Sequence, residues 1–297
     1  MIILAAGQIL NPTLQNNPHH NNNFDFLRFL FASFVICTHS YALLGNIQGD
    51  PLYGISGRVF SEVGVCGFFV ISGYLIHQSL ERSSSLRSFV RKRIARIFPG
   101  LIVAVLFAAL VIGALVTELP LLTYYNHKGT WLYALDNAFL VPRHQVLPGV
   151  FTRNAETAVN GSLWTLRYEL LFYGLLNLLF GVSRPAKKWF VPLLFLICLT
   201  GYFCLRYDLI NGLPAGLHKF LFYACNLGCY FAAGTFLSLF APVLQQKKTH
   251  LLILSSVAFL GVLLFFQKEL EIVGFIAFPL MVITFGLHYF KALHFSR

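Results

Sequence analysis

Charge is what this sequence has least of. Only 11% of its 297 residues are Asp, Glu, Lys or Arg, against about 25% in soluble proteins. That is too little to cover the surface of a water-soluble domain of this length, so a soluble protein is excluded. Acids are scarcer than bases, with 11 Asp and Glu against 22 Lys and Arg, giving a net charge of +11. No disulfide framework or zinc pattern is present. The six cysteines (37, 66, 198, 204, 225 and 229) all fall in apolar runs. Cys225 and Cys229 are one turn apart but lack further ligands. All six read as small packing residues. No internal repeat is evident. No basic region precedes the apolar residues 1–10, so they do not read as a signal peptide.

Apolar surface is abundant: 57% of residues are hydrophobic, 31 of them Phe, and mean hydropathy is +0.69. That much apolar surface excludes a disordered chain. The remaining class is an all-α polytopic membrane protein. A span needs about 20 mostly apolar residues, which predicts eight: 24–45, 59–80, 97–117, 162–181, 189–206, 218–240, 250–267 and 270–290. Tyr41, Trp164, Trp189, Tyr207 and Tyr289 stand near the proposed ends, as interfacial aromatics do. Residues 1–23, rich in Asn and His toward their end, read as a flexible cytoplasmic tail, with His19 and His20 as spacer. Residues 118–161 form the long aqueous stretch.

The basic residues set the orientation. With a cytoplasmic N-terminus, thirteen Lys and Arg fall on the inner side and seven on the outer side, where acids nearly cancel them. Both termini are therefore expected to be cytoplasmic, and no basic stripe remains for nucleic acid.

Ionisable residues within spans are costly and are functional candidates. In the first span these are Asp25, Arg28 and His39. Arg28 to His39 is eleven residues, three helical turns plus about 20°, and Asp25 precedes Arg28 by three. All three share one stripe with Ala32 and Val35, and His39 lies roughly 16 Å beyond Arg28. An interfacial Asp25–Arg28 ion pair and a helix–helix hydrogen bond from His39 are the structural alternatives. In the fourth span Ser162, Thr165 and Glu169 follow an i, i+3, i+7 pattern. Glu169 reaches a depth comparable to His39, so a carboxylate–imidazole contact is geometrically open. Pairing of Glu169 with Arg167 or Arg28 is the alternative. The densest charge run, RSFVRKRIARIFPG, contains Arg93 and Arg96 at the cytoplasmic mouth of the third span. It reads either as topology signal and headgroup contact or as a polyphosphate site. Gly64, Gly67, Ser72 and Gly73 in the second span read chiefly as close-packing positions, or as the wall of a tunnel.

FDFLRFLFASFVICTH resembles the opening signature of the acyltransferase 3 family of membrane proteins: an Asp and an Arg at the start of the first helix, then ten residues, then a His. GVCGFFVISGYLI resembles that family's second-span motif. RKRIARIFP resembles its Arg-x-x-Arg motif, here Arg93 and Arg96. GSLWTLRYELLFY resembles its fourth-span motif with Trp164 and Glu169. The four motifs occur in the family's order over residues 24–173. Beyond 180 the resemblance is hydropathic only.

The resemblance implies O-acyl transfer, usually of acetyl, from cytoplasmic acyl-CoA to a carbohydrate hydroxyl at or beyond the outer face of a bacterial inner membrane. Arg28 and His39 match the family's essential residues, and Arg93 and Arg96 match those linked to donor binding. The expected mechanism has His39 as general base, oriented by Glu169, with Asp25, Ser162 and Trp164 supporting. Acyl-CoA is expected as a substrate rather than a resident cofactor, with no metal required. The expected partners are membrane lipids, acyl-CoA and the carbohydrate acceptor. Family members continue with further spans, so the membrane domain over 24–297 is expected to be incomplete at its C-terminus. The rival readings are a glycolipid or polysaccharide transporter or flippase, which paired Gly/Pro breaks in two halves would favour, and an inactive truncated remnant.

Overall fold

A computed structural model describes residues 22–179, 184–265 and 271–288. Of the predicted tail, only Asn22 and Asn23 fall among them. The described chain is all-helical. Its principal helices are α1 (Phe24–Leu43), α2 (Phe60–Glu81), α3 (Leu86–Phe107, continuing through Ala108–Ile112 and Gly113–Val116), α4 (Leu121–Asn126), α5 (Lys128–Ala138), α6 (Leu166–Asn177), α7 (Arg184–Arg206), α8 (Ala215–Leu239), α9 (Ala241–Phe265) and α10 (Glu271–Leu287).

Among the described residues, five helices are long and apolar enough to cross a membrane: Phe24–Leu43, Phe60–Glu81, Leu86–Val116, Lys188–Arg206 and Ala215–Leu239. Their outward faces are apolar. Leu115 is 78% and Ile197 59% exposed, as suits lipid contact and not water. The protein is a membrane protein on this evidence. The eight expected spans are represented differently. The fourth contains only a 12-residue α-helix, about 18 Å long and short of the roughly 30 Å hydrocarbon core. It is preceded by a 3-10 segment, Gly161–Thr165, entered through Asn160 in the left-handed region at φ 60°. The eighth corresponds to the 17-residue α10.

The predicted charged loop before the third span is instead helical. The Ser85 hydroxyl accepts the Ser88 backbone N–H at 3.1 Å, a side-chain cap that starts α3 eleven residues before the apolar run. Leu86–Val116 is 31 residues, about 46 Å by rise, so its arginine-bearing end extends past the hydrocarbon. Midway through the apolar part, Ala108–Ile112 form a π-turn. Such a turn displaces the ordinary carbonyl partners, and two tyrosines of α4 donate to carbonyls there: Tyr124 to Ala109 at 2.6 Å and Tyr125 to Leu110 at 2.9 Å. The stretch expected to be aqueous loop is thus partly helical and packs on α3, with Tyr124, Tyr133, Leu147 and Val150 buried against Leu101 and Val105.

The core sits where α1, α2, α6, α8 and α10 meet. Helices α2 and α8 touch backbone to backbone. A Cβ on Gly73 would stand 2.0 Å from the Phe231 carbonyl oxygen, and one on Gly234 2.1 Å from that of Val70. Side-chain hydrogen bonds fasten the same seam: Thr235 donates to the Gly73 carbonyl at 3.2 Å, and the buried His77 Nδ1 lies 2.6 Å from Ser238 Oγ. Packing is the role of Gly64 and Gly67 as well. They sit against the Phe31 carbonyl and ring of α1. The cysteines contribute to packing too, with Cys225 against Gly201 and Cys198 against Gly228 between α7 and α8.

Candidate active site

The stripe read on α1 divides between two places. At the start of α1, Arg28 Nη1 bonds Asp25 Oδ1 at 2.7 Å, with the Asp25 side chain 80% exposed. This is the interfacial ion pair, with Asp25 also in the first turn, where the helix dipole favours it. Further along, Ala32, Val35 and His39 line one wall of a cavity of about 790 Å³. Nothing among the described residues hydrogen-bonds the His39 imidazole, which is exposed on the cavity wall.

The end of α1 that carries His39 is pinned by a residue counted in the sequence only as an outer-side acid. Asp50 is 1% exposed. Its carboxylate accepts the Leu52 N–H at 2.9 Å, the Phe60 N–H at 3.1 Å and the Thr38 hydroxyl at 2.6 Å. Thr38 Oγ1 in turn accepts the Ser61 N–H at 2.8 Å. Two of the orphan donors at the N-terminus of α2 are thereby satisfied from α1 and the intervening loop. The lock fixes α1 against α2 at the residue next to His39. Asp50→Ala strips two buried donors and one part-buried donor of their acceptor and is expected to cost about 2–4 kcal/mol. A thermal melt of the detergent-solubilised protein checks this. An unchanged melting temperature would show that the lock contributes nothing.

The rest of the cavity wall comes from the 3-10 segment before α6 (Ser162, Trp164, Thr165), from the start of α2 (Arg58, Glu62, Cys66) and from α7, α8 and α10. Ser162 and Trp164, expected to support the site, thus lie in the His39 cavity. Trp164 packs on Tyr223 of α8 with ring centroids 4.8 Å apart. Tyr223 and Asn226 of α8 also line the cavity. The sequence reading did not single them out, although Asn226 is a polar residue within an otherwise apolar stretch of α8.

Glu169 goes elsewhere. Its carboxylate accepts the Tyr173 hydroxyl one turn on, and both groups lie within electrostatic reach of Arg93. Arg96 and Tyr173 are in turn within reach of Arg28. Arg93 Nη2 donates to Ser79 Oγ at 3.3 Å, and its buried Nε has no partner among the described residues. The structure therefore brings Arg28, Arg93 and Arg96 together around Tyr173, which bonds Glu169, and does not bring Glu169 to His39. The physical reason is charge: the permanently charged Arg93 guanidinium stabilises a carboxylate more than a neutral imidazole does. Tyr173 was legible in principle, as the i+4 neighbour of Glu169. Arg167 does not pair with Glu169 either. It stacks over the Tyr168 and Phe220 rings at 4.8 and 5.6 Å.

Helix α6 links the two places. Thr165, on the cavity, precedes Glu169 by four residues and Tyr173 by eight, about 6 and 12 Å along a helix. One end of this helix thus borders a cluster of anion-binding groups and the other a cavity whose His39 imidazole bonds none of the described residues.

Comparison with known proteins gives a consistent result. Nodulation protein 10 of Rhizobium leguminosarum bv. viciae is 34% identical over 186 residues, covering 60% of this chain and 49% of that protein. The O-acetyl transferase of Shigella phage Sf6 is 30% identical over 203 residues, covering 67% of this chain and 59% of that protein. The chain thus spans about half to three-fifths of the length of these relatives. No solved structure matches it. The profile described as acyltransferase domain matches residues 21–295, nearly the whole length of the chain, which therefore belongs to the acyltransferase 3 family.

Proposed function

We propose that this protein transfers an acyl group from acyl-CoA to a carbohydrate hydroxyl across the membrane, with His39 as general base. The observation that carries this reading is the pairing of an imidazole on a cavity wall, unbonded among the described residues, with a triplet of arginines one short helix away. In this reading the acceptor hydroxyl enters the His39 cavity and the imidazole takes its proton as the oxygen attacks the thioester carbonyl carbon. The carbon–sulfur bond breaks, CoA thiolate leaves and is protonated, and an ester is left on the sugar. Arg28, Arg93 and Arg96 hold the CoA phosphates, for which guanidinium forks are suited, and the Glu169–Tyr173 pair fixes the arginines in place. Acetyl is the proposed group, in keeping with the name of the phage relative. We place the arginine cluster and both termini on the cytoplasmic side of the bacterial inner membrane, following the thirteen-to-seven bias of basic residues. The partners in this reading are lipid, acyl-CoA and the carbohydrate.

The donor half has its own test. Arg93→Ala is expected to raise KM for acetyl-CoA about tenfold or more, the loss of one charge-assisted contact of roughly 1.5–3 kcal/mol, while kcat at saturating donor changes little. Assays in inside-out vesicles over a donor titration measure both constants. An unchanged KM would remove Arg93 from the donor site.

A further inference from the structure

The His39 cavity has a feature that the transfer reaction alone does not require: three neutral polar groups on one wall are unused. The charged groups are engaged with the protein. Arg58 Nη1 and Glu62 Oε2 are 4.0 Å apart, and Arg206 Nη1 donates to the Tyr202 hydroxyl at 2.7 Å. Three neutral groups are not engaged. Among the described residues, the Trp164 indole N–H, the Tyr223 hydroxyl and the Asn226 amide have no hydrogen-bond partner, although all three residues line the cavity. Polar groups in such a setting normally find partners. A concave, mostly apolar site with a few unused donors and acceptors has the make-up of a ligand site.

Their arrangement narrows the ligand. Trp164 and Tyr223 come from different elements and pack at 57° to one another, giving an angled aromatic wall. Asn226 follows Tyr223 by three residues on α8, so it borders the same wall and offers both a donor and an acceptor. An aromatic wall takes an apolar face. Amide, phenol and indole groups take hydroxyls. A pyranose presents both at once, an apolar C–H face and a rim of hydroxyls. A carboxylated sugar would need a cation at this wall, and none of the three wall groups carries a charge; the cavity's arginines face Glu62 and Tyr202 instead.

We propose that Trp164, Tyr223 and Asn226 form the acceptor subsite, and that it selects a neutral pyranose over an acidic one. The proposal rests on the reading of His39 as the transferring base, since it places the acceptor in that residue's cavity, but it is tested by binding and so can fail separately. The full chain in nanodiscs is titrated with neutral hexose and deoxyhexose trisaccharides and with uronic acid trisaccharides, followed by saturation-transfer NMR. At least one neutral trisaccharide is expected to show contact through its ring C–H protons. Tyr223→Ala and Asn226→Ala are each expected to weaken that binding about tenfold, and Tyr223→Phe, which keeps the ring, by less. His39→Gln is expected to leave binding within about twofold. Preferred binding of uronic trisaccharides overturns the proposal. So does neutral binding that the Tyr223→Ala, Asn226→Ala double variant retains, or no binding of any neutral trisaccharide. Retained acyl transfer by His39→Gln in vesicles would instead overturn the catalytic reading and leave the binding result standing. A melting temperature for every variant separates loss of the subsite from loss of the fold.

Discussion

Replacing His39 with glutamine is expected to lower acyl transfer by about two to four orders of magnitude, the usual contribution of a positioned general base. Glutamine retains hydrogen-bonding capacity and approximate size but cannot take a proton, so the loss is expected in kcat. Donor KM should be nearly unchanged, because Arg28 stands roughly 16 Å away along the same helix. Folding should be untouched, because the His39 ring is exposed on the cavity wall and bonds no described residue. The measurement is transfer of radiolabelled acetyl to surface glycan in vesicles, alongside the size-exclusion profile of the solubilised variant. A His39→Gln variant with wild-type kcat would eliminate the base role. A variant with reduced kcat and a tenfold higher donor KM would instead point to a channel through which His39 senses the donor. The neighbouring lock offers a contrast. Disturbing Asp50 should lower stability and rate together, because Asp50 acts on His39 only through the position of α1.

What the sequence disclosed and what it hid follow from how far each signal extends along the chain. The α1 stripe was readable because its period is local: Arg28, Ala32, Val35 and His39 recur on one face whatever α1 packs against. The Arg93–Arg96 pair was readable for the same reason. The start of α3 was not, because a hydropathy window cannot count Arg87, Arg91 and Lys92 as part of a span, although the Ser85 cap makes them helical. The fate of Glu169 was hidden more deeply. Ser162 and Thr165, read on the same face as Glu169, line the cavity from the 3-10 segment before α6. The 3-10 segment and the arginines of α1 and α3 then decide where the carboxylate goes, and those partners are distant in sequence. Asp50 was hidden because an acid in a short loop resembles any solvated acid until its three donors are brought to it. Tyr223 and Asn226 lie on a helix without amphipathic period, so only the neighbours reveal which face is the wall.

Gly73→Leu is expected to abolish the folded protein. At this position α2 and α8 are in backbone contact, and even a Cβ would stand 2.0 Å from the Phe231 carbonyl oxygen. That obstacle is main chain, so no rotamer change relieves it. The helices must part, and parting them stretches the Thr235 hydrogen bond to the Gly73 carbonyl and separates His77 from Ser238. Gly73→Ala should already cost about 1–3 kcal/mol, the range for overpacking a tight core, and the larger side chain considerably more. In a membrane little offsets this, because helix association depends on close van der Waals fit and not on the hydrophobic effect. Gly174→Ala is the control. A Cβ there meets nothing within 4 Å, and the gain in helix propensity makes it neutral or slightly stabilising, by up to about 1 kcal/mol. Fluorescence-detected size exclusion after a thermal challenge ranks the three variants. A monodisperse Gly73→Leu protein with an unchanged melting temperature would contradict the α2–α8 seam itself. The seam also matters for activity. Helix α2 holds α1 and His39 through Gly64 and Gly67, while α8 carries Tyr223 and Asn226. The separation fixed at Gly73 and Gly234 therefore sets the distance between the proposed base and the proposed acceptor subsite. Any Gly73→Ala protein that does fold should lose acyl transfer out of proportion to its loss of stability.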